Sequence, residues 1–293
     1  MSRDLTGYGR TPPDPLWPGG ARVAVQFVLN YEEGAENSPL YGDAGSEAFL
    51  SEMVGAASHP ARAMAMESLY EYGSRAGFWR LHRLFTERQI PVTVFGVAKA
   101  LESNPDAVAA MQEADWEIAS HGLRWIDYQN VPEDIERAHI AEAIACHTRV
   151  TGARPLGWYQ GRTSPNTARL IAEEGGFLYD ADSYADDLPY YDRRHGRAQL
   201  IVPYSLDAND MKFVALNGFT EPDQFARYLI QTYDQLALEG GRMMSIGLHA
   251  RIAGRPARAA AVARFLDHLL ARGDASIARR IDIARHWLAV HPA

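Results

Sequence analysis

Five short segments carry side chains that could do acid–base chemistry. Asn30-Tyr31-Glu32-Glu33-Gly34 sets two carboxylates side by side, and His121 and Trp125 stand four apart in Ser120–Trp125. Arg162 follows Gln160-Gly161, Asp180, Asp182, Asp186 and Asp187 crowd one stretch, and His249 stands two residues before Arg251. Adjacent carboxylates in a cleft push one pKa upward. Each piece alone has an ordinary explanation. Acids between elements are mostly solvated or make turns, and a single histidine after a strand is more often a structural hydrogen-bonding group. Their shared placement carries the argument, because every segment directly follows an apolar, strand-like run.

Those runs are Val23–Leu29, Val92–Val97, Trp116–Ser120, Leu156–Tyr159, Phe177–Tyr179, Leu200–Val202 and Met243–Leu248. Helical periodicity fills the intervals over 74–89, 105–114, 132–150, 165–175, 222–239 and 257–271, with prolines at several starts and Gly175-Gly176 closing one. Alternation at this spacing predicts a parallel sheet covered by helices, and about seven such strands suggest a closed or nearly closed (β/α) barrel with room for irregularity. In a barrel the residues after the strands converge on one pocket at the strand C-terminal ends. His82, His139, His147, His268 and His286 fall inside helical stretches, where a partly exposed surface role is expected. Cys146 reads as a core thiol.

The 293 residues are expected to form one domain, 1–293, with a Gly- and Pro-rich irregular arm over 1–20. Twenty-nine basic against 37 acidic residues give a net charge of −8, which argues against an electrostatic grip on nucleic acid or an anionic membrane. One cysteine excludes an internal disulfide framework, and the N-terminal residues show no apolar signal core. The expectation is a cytoplasmic chain acting on a small molecule.

The ordered series NYEEG (30–34), SHGLRW (120–125), GWYQGRTSPNT (157–167), LYDADSYADDLPYY (178–191) and SIGLHARIAGRPAR (245–258) resembles the polysaccharide deacetylase superfamily. Within it, FVLNYEEG, ESLYEYGSR, EEGGFLYD and RRIDIARHW are similar to the cofactor-independent allantoinase branch of purine catabolism. The resemblance covers nearly the whole chain and implies an irregular barrel of the superfamily type. The superfamily's deacetylases carry an acidic pair, one acid a base and the other a metal ligand beside two histidines four residues apart. Here Glu32 and Glu33 occupy the acidic positions, His121 the first histidine, and Trp125 stands where the second would be. An indole N–H only donates, so the ligand set shrinks to Glu33 and His121, short of the three protein ligands usual in catalytic zinc sites. No cofactor is expected, although Glu33 and His121 leave room for weak divalent-metal binding.

The resemblance implies hydrolysis of the hydantoin ring of allantoin to allantoate. Such chemistry needs a base for water, a group for the oxyanion and an acid for the leaving nitrogen. Glu32 is the first choice for base, Glu33 for its partner or a substrate ligand, and His249 for acid or oxyanion partner. His121, Trp125, Arg162, Tyr159 and Asp182 form the expected substrate-binding set, and Asp180 or Asp182 is expected to hold a histidine in its tautomer. The alternatives are a cyclic-imide hydrolase, a metal-dependent carbohydrate deacetylase and a non-catalytic binding barrel. The resemblance also implies a homotetramer.

Overall fold

A computed structural model describes residues 3–215 and 218–293. The chain runs through β1 (Val23–Tyr31), α1 (Met64–Tyr72), a π-helical turn (Gly73–Gly77), α2 (Phe78–Thr86), β2 (Val92–Gly96), α3 (Ala98–Ser103), α4 (Pro105–Glu113) and β3 (Glu117–Ser120). It continues through α5 (Glu133–Thr151), β4 (Gly157–Trp158), α6 (Thr167–Glu174), β5 (Tyr179–Asp180), β6 (Tyr190–Asp192) and β7 (Gln199–Ile201). The remainder is α7 (Pro222–Glu239), β8 (Arg242–His249), α8 (Pro256–Arg272), β9 (Ala275–Ile277) and α9 (Arg280–Val290).

The strands form one curled, mostly parallel sheet in the order β6-β7-β5-β4-β3-β2-β1-β8, the α/β half-barrel of the expected type. Every residue of β1 is buried, as suits the strand in the middle of a sheet covered on both faces. Because β8 runs along the whole of one edge of β1, β9 must pair with Val23–Val25 on the other edge, below the start of β2. The parallel strands end level with one another: Asn30 faces His249, Gly96 faces Ser120, Ser120 faces Trp158, and Trp158 faces Asp180. That register brings the loops after β1, β3, β4, β5 and β8 to one rim.

Helix boundaries follow local chemistry. Glu133, Asp134 and Glu136 lie in the first turn of α5 and Arg149 in its last, matching the helix dipole, and Gly152 closes it at φ 77°. A reciprocal Glu221–Gln224 capping box opens α7, with Pro222 in its first turn.

The number of strands differs from the expected seven. Among the described residues β6 and β9 bring it to nine, and neither carries a strong sequence signal. β6 is the polar Tyr190-Tyr191-Asp192, antiparallel to β7, and β9 is the short, half-buried Ala275-Ser276-Ile277. The helix expected from 74 begins ten residues earlier, at Met64, because the chain crosses Gly73 and Gly77 in a π-helical turn instead of stopping. Helix α6 starts at Thr167, two residues after the proline expected to open it; α3 was not expected, and α9 was expected only as the helical setting of His286, with no bounds. His147 is a further correction. It is fully inside the protein, where burial pushes its imidazole down to about 4.

The sheet leaves a seam between β8 and the β6–β7 edge. Two backbone contacts bridge it: the Met243 N–H donates to the Asp187 carbonyl (3.0 Å) and the Gly247 N–H to the Ala208 carbonyl (3.0 Å). Arg280, wholly buried, closes it from inside. Its guanidinium donates to Gln26 of β1, to Ser245 Oγ of β8 (3.0 Å) and to the Val202 and Pro203 carbonyls just after β7, among the rings of Phe95, Tyr179 and Tyr204. The N-terminal arm lies over the opposite end of the sheet, pinned by buried Trp17, whose indole N–H donates to the Arg242 carbonyl (2.8 Å). Among the described residues no helix is long and apolar enough to cross a membrane.

Truncating Arg280 strands these acceptors in a dry interior. Arg280→Ala is therefore expected to cost about 3–5 kcal/mol, the usual result of removing one side of a buried charged network. Urea unfolding of the two proteins measures the difference.

Candidate active site

At the rim of the sheet the chain buries charge. Glu32, Glu33, His121, His249 and Arg251 are each no more than 4% exposed. Glu32 leaves the end of β1 and points between the ends of β3 and β8. Its Oε1 lies 3.4 Å from His121 Nε2 and 3.4 Å from His249 Nε2, while its Oε2 lies 2.7 Å from Arg251 Nη1. Burial alone would raise this carboxyl. The Arg251 and His249 charges, with hydrogen bonds from both imidazoles, outweigh it and hold Glu32 well below the usual carboxylate range.

His249 is oriented from behind. Its Nδ1–H donates to Asp210 Oδ1 (2.6 Å), and the other Asp210 oxygen accepts the backbone N–H groups of His249 (2.7 Å) and Ala253 (2.9 Å). Burial would lower the imidazole, but the Asp210 and Glu32 charges push it up to about 9. Near neutral pH it is therefore an imidazolium, with Nε2–H facing Glu32.

Glu33 turns the other way. It accepts the backbone N–H of Arg251 (3.2 Å) on Oε1 and that of Glu32 (3.2 Å) on Oε2, tying the end of β1 to the loop after β8. Burial, and then the neighbouring Glu32 charge, raise its carboxyl against the pull of Arg251. The π-helical turn makes this fit possible, since a Cβ on Gly73 would collide with the Glu33 carboxylate and one on Gly77 with the Ala250 carbonyl. Single π-turns inside helices recur at functional sites.

Aromatic rings floor and wall the chamber. Tyr159 stacks on Phe95 (4.7 Å) and lies against His121 (4.9 Å) and Tyr204 (5.0 Å). Arg162 lies over the Trp125 ring (4.5 Å) and near Phe49 (5.1 Å), with Glu47 3.7 Å from its Nη1. Phe49 and Glu47 arrive on the long loop after β1, which the Trp125 backbone N–H ties down by donating to the Ala35 carbonyl (2.9 Å). Buried polar atoms of three of these residues have no partner among the described residues: His121 Nδ1, Trp125 Nε1 and Arg162 Nη1. Buried unpaired donors are costly, so such a set marks a place for a polar ligand or water.

The sequence-expected residues Glu32, Glu33, His121, Trp125, Tyr159, Arg162 and His249 thus meet around one chamber. Asp182 sits at its edge, with both oxygens taken by the backbone N–H groups of Gln160 and Gly161 (2.7–3.0 Å), and burial pushes it up to about 6. The expectation that Asp180 or Asp182 holds a histidine is corrected. That aspartate is Asp210, while Asp180 accepts the Asp182 N–H (2.9 Å). Asp210 opens a short 3₁₀ turn (Asp210–Phe213) after β7, where no periodicity in the sequence marks it. Arg251 was visible two residues beyond His249, but nothing in the sequence gave it a role.

A parallel half-barrel with an acid pair, a histidine and an Asp–His dyad at its C-terminal rim defines a class, and comparisons with known proteins give it a family. The polysaccharide deacetylase family model matches residues 60–177. A Schizosaccharomyces pombe protein assigned to the polysaccharide deacetylases is 39% identical, over 99% of this chain and 98% of its own. The chain belongs to the polysaccharide deacetylase family. Two solved structures are each 55% identical to it with a TM-score of 0.98. One is a Pseudomonas aeruginosa PAO1 protein classed as a probable polysaccharide deacetylase, covering 100% of both chains. The other is Puue allantoinase, covering 100% of this chain and 99% of that one. A Mycobacterium smegmatis protein at 24% identity and TM-score 0.81 shares the fold.

The donor set does not fit the divalent metal that the family pattern implies. Trp125 holds the second histidine position and presents only a donor N–H. Both Glu33 oxygens serve backbone N–H groups, and the Arg251 cation already lies against Glu32. Among the described residues no group of three or more His, Cys, Asp or Glu side chains could hold a metal ion.

The Asp210–His249 pair also sets a pH dependence. The folded imidazole sits near 9 against an unfolded value near 6.5. Its contribution to stability is fully present below pH 6.5 and is lost as pH rises through 9. Urea unfolding between pH 6 and pH 9.5 should show this loss, and Asp210→Asn should flatten it.

Proposed function

We propose that this protein is a hydrolase of small cyclic amides that opens the hydantoin ring of allantoin to allantoate. The observation carrying the proposal is 55% identity to Puue allantoinase along the whole chain. The residues gathered around the chamber offer a candidate for each of the three functions that ring opening requires.

A water beside Glu32 Oε1 loses its proton to the carboxylate as its oxygen attacks the ring carbonyl carbon. Charge develops on the former carbonyl oxygen, and the unpartnered donors of the chamber, Trp125 Nε1–H and Arg162 Nη1–H, are suited to orient the ring and ureido oxygens. As the tetrahedral centre collapses the C–N bond breaks, and the His249 imidazolium gives its Nε2 proton to the leaving ring nitrogen. The protonated Glu32 then returns its proton to His249, 3.4 Å away, and the new carboxylic acid ionises to solvent. Asp210 keeps His249 in the tautomer whose Nε2 faces the chemistry, and Glu33 positions the two loops. His121 holds Glu32 and Tyr159 supports the His121 ring, while Asp182 shapes the loop that carries Arg162.

Purified protein should convert allantoin to allantoate after EDTA treatment and dialysis. The same assay should include hydantoin, dihydrouracil, succinimide and an N-acetyl chitooligosaccharide. Turnover of the acetylated sugar alone would overturn the proposal, and succinimide as the best substrate would shift it to a cyclic-imide hydrolase. Glu32→Gln keeps the shape and removes the base, so kcat should fall by about 10²–10⁴. Arg162→Ala should raise KM as well, because paired guanidinium donors orient carbonyl and ureido oxygens in the ground state.

A further inference from the structure

Arg251 is a buried cation that the reaction just described does not use. It comes from the loop Ala250–Gly254, the stretch the π-turn glycines allow to approach so closely. Its guanidinium lies over the Tyr70 ring (4.3 Å), with Nη1 2.7 Å from Glu32 Oε2 and 3.7 Å from Glu33 Oε1. Nε, Nη1 and Nη2 all lack a well-aligned hydrogen-bond acceptor among the described residues, so the interaction with Glu32 is a contact of charges more than a directed bond. Two side-by-side carboxylates, each almost out of water, need a compensating positive charge. His249 supplies part of it from the Oε1 side; among the described residues Arg251 is the cation that lies within 4 Å of both acids.

We infer that Arg251 is the fixed cation of the site and a positioning residue: it occupies Glu32 Oε2, keeps Oε1 turned between the two imidazoles, and offsets the paired carboxylates where Trp125 removes a metal ligand. An arginine suits this task because its charge does not depend on pH in any ordinary range. The inference deepens the cyclic-amide reading and rests on it for the kinetic test, whereas the stability test below is independent of any substrate.

The stability test is a double-mutant cycle. Arg251→Met keeps an unbranched apolar stem and removes the charged head, and should lower Tm by about 5–10 °C. Adding Glu33→Gln removes one carboxylate charge and should restore about half of that loss. Simple addition of the two single effects would mean that Arg251 acts by packing and would overturn the inference.

The kinetic test uses Arg251→Ala on whichever cyclic amide the wild type hydrolyses. Its kcat should fall by about 10²-fold, with KM much less affected. Methylguanidinium should restore part of the lost turnover, and methylurea, of the same shape without charge, should not. Equal rescue by both, or an unimpaired kcat, would overturn the inference. If the alanine variant does not fold, Arg251→Lys against Arg251→Met replaces it, with lysine retaining more turnover expected and equal losses overturning. A wild type inert toward every cyclic amide defeats the functional reading, and the Tm cycle then decides the role of Arg251.

Discussion

A carboxylate placed almost entirely out of water at the end of β1 constrains everything around it. Glu32 can remain charged there only if opposite charge and donors reach it from other parts of the chain. They come from three sources: His121 after β3, His249 at the end of β8, and Arg251 in the loop beyond. None of the three is near Glu32 in sequence. The level ends of β1, β3 and β8 are therefore an electrostatic requirement as much as a packing result. The same demand extends outward, since a buried imidazolium needs its own counter-charge, and Asp210 meets it from a stretch with no regular structure before it.

Backbone close approach makes this arrangement possible. Gly73, Gly77 and Gly254 remove side chains where the π-turn, Glu33 and the Ala250–Gly254 loop press together. Glu33 then spends its oxygens on two backbone N–H groups, so the acid next to Glu32 serves as a strut. Two adjacent glutamates of identical chemistry are separated in role by what lies behind each: imidazoles for Glu32, main-chain amides for Glu33.

Much of this was legible in the sequence, and the exceptions have physical causes. The seven apolar strands and the polar residues after them could be read because burial on both faces writes a long apolar run, and because a parallel sheet gathers its loops at one rim. β6 and β9 escaped because an edge strand and a three-residue strand need no such run. Asp210 escaped because it serves through a tertiary contact to His249, and a lone aspartate in a polar loop looks like any turn residue. Asp182 misled for the reverse reason. It sits in an acid-rich segment after a strand, yet its oxygens are taken by the Gln160 and Gly161 amides. The helix expected from 74 was started ten residues late because Gly73 resembles a boundary, while here it opens a widened turn.

The enclosure of the chamber has a consequence for what can reach it. Trp125 is 7% exposed and the groups behind it less, while the loop carrying Glu47 and Phe49 closes over them. A chain of linked sugars would have to thread both of its ends through that cover. A compact heterocycle would need a gap only of its own width. If the cyclic-amide reading proposed above holds, such a cover would sort ligands by dimension before any donor or acceptor is consulted.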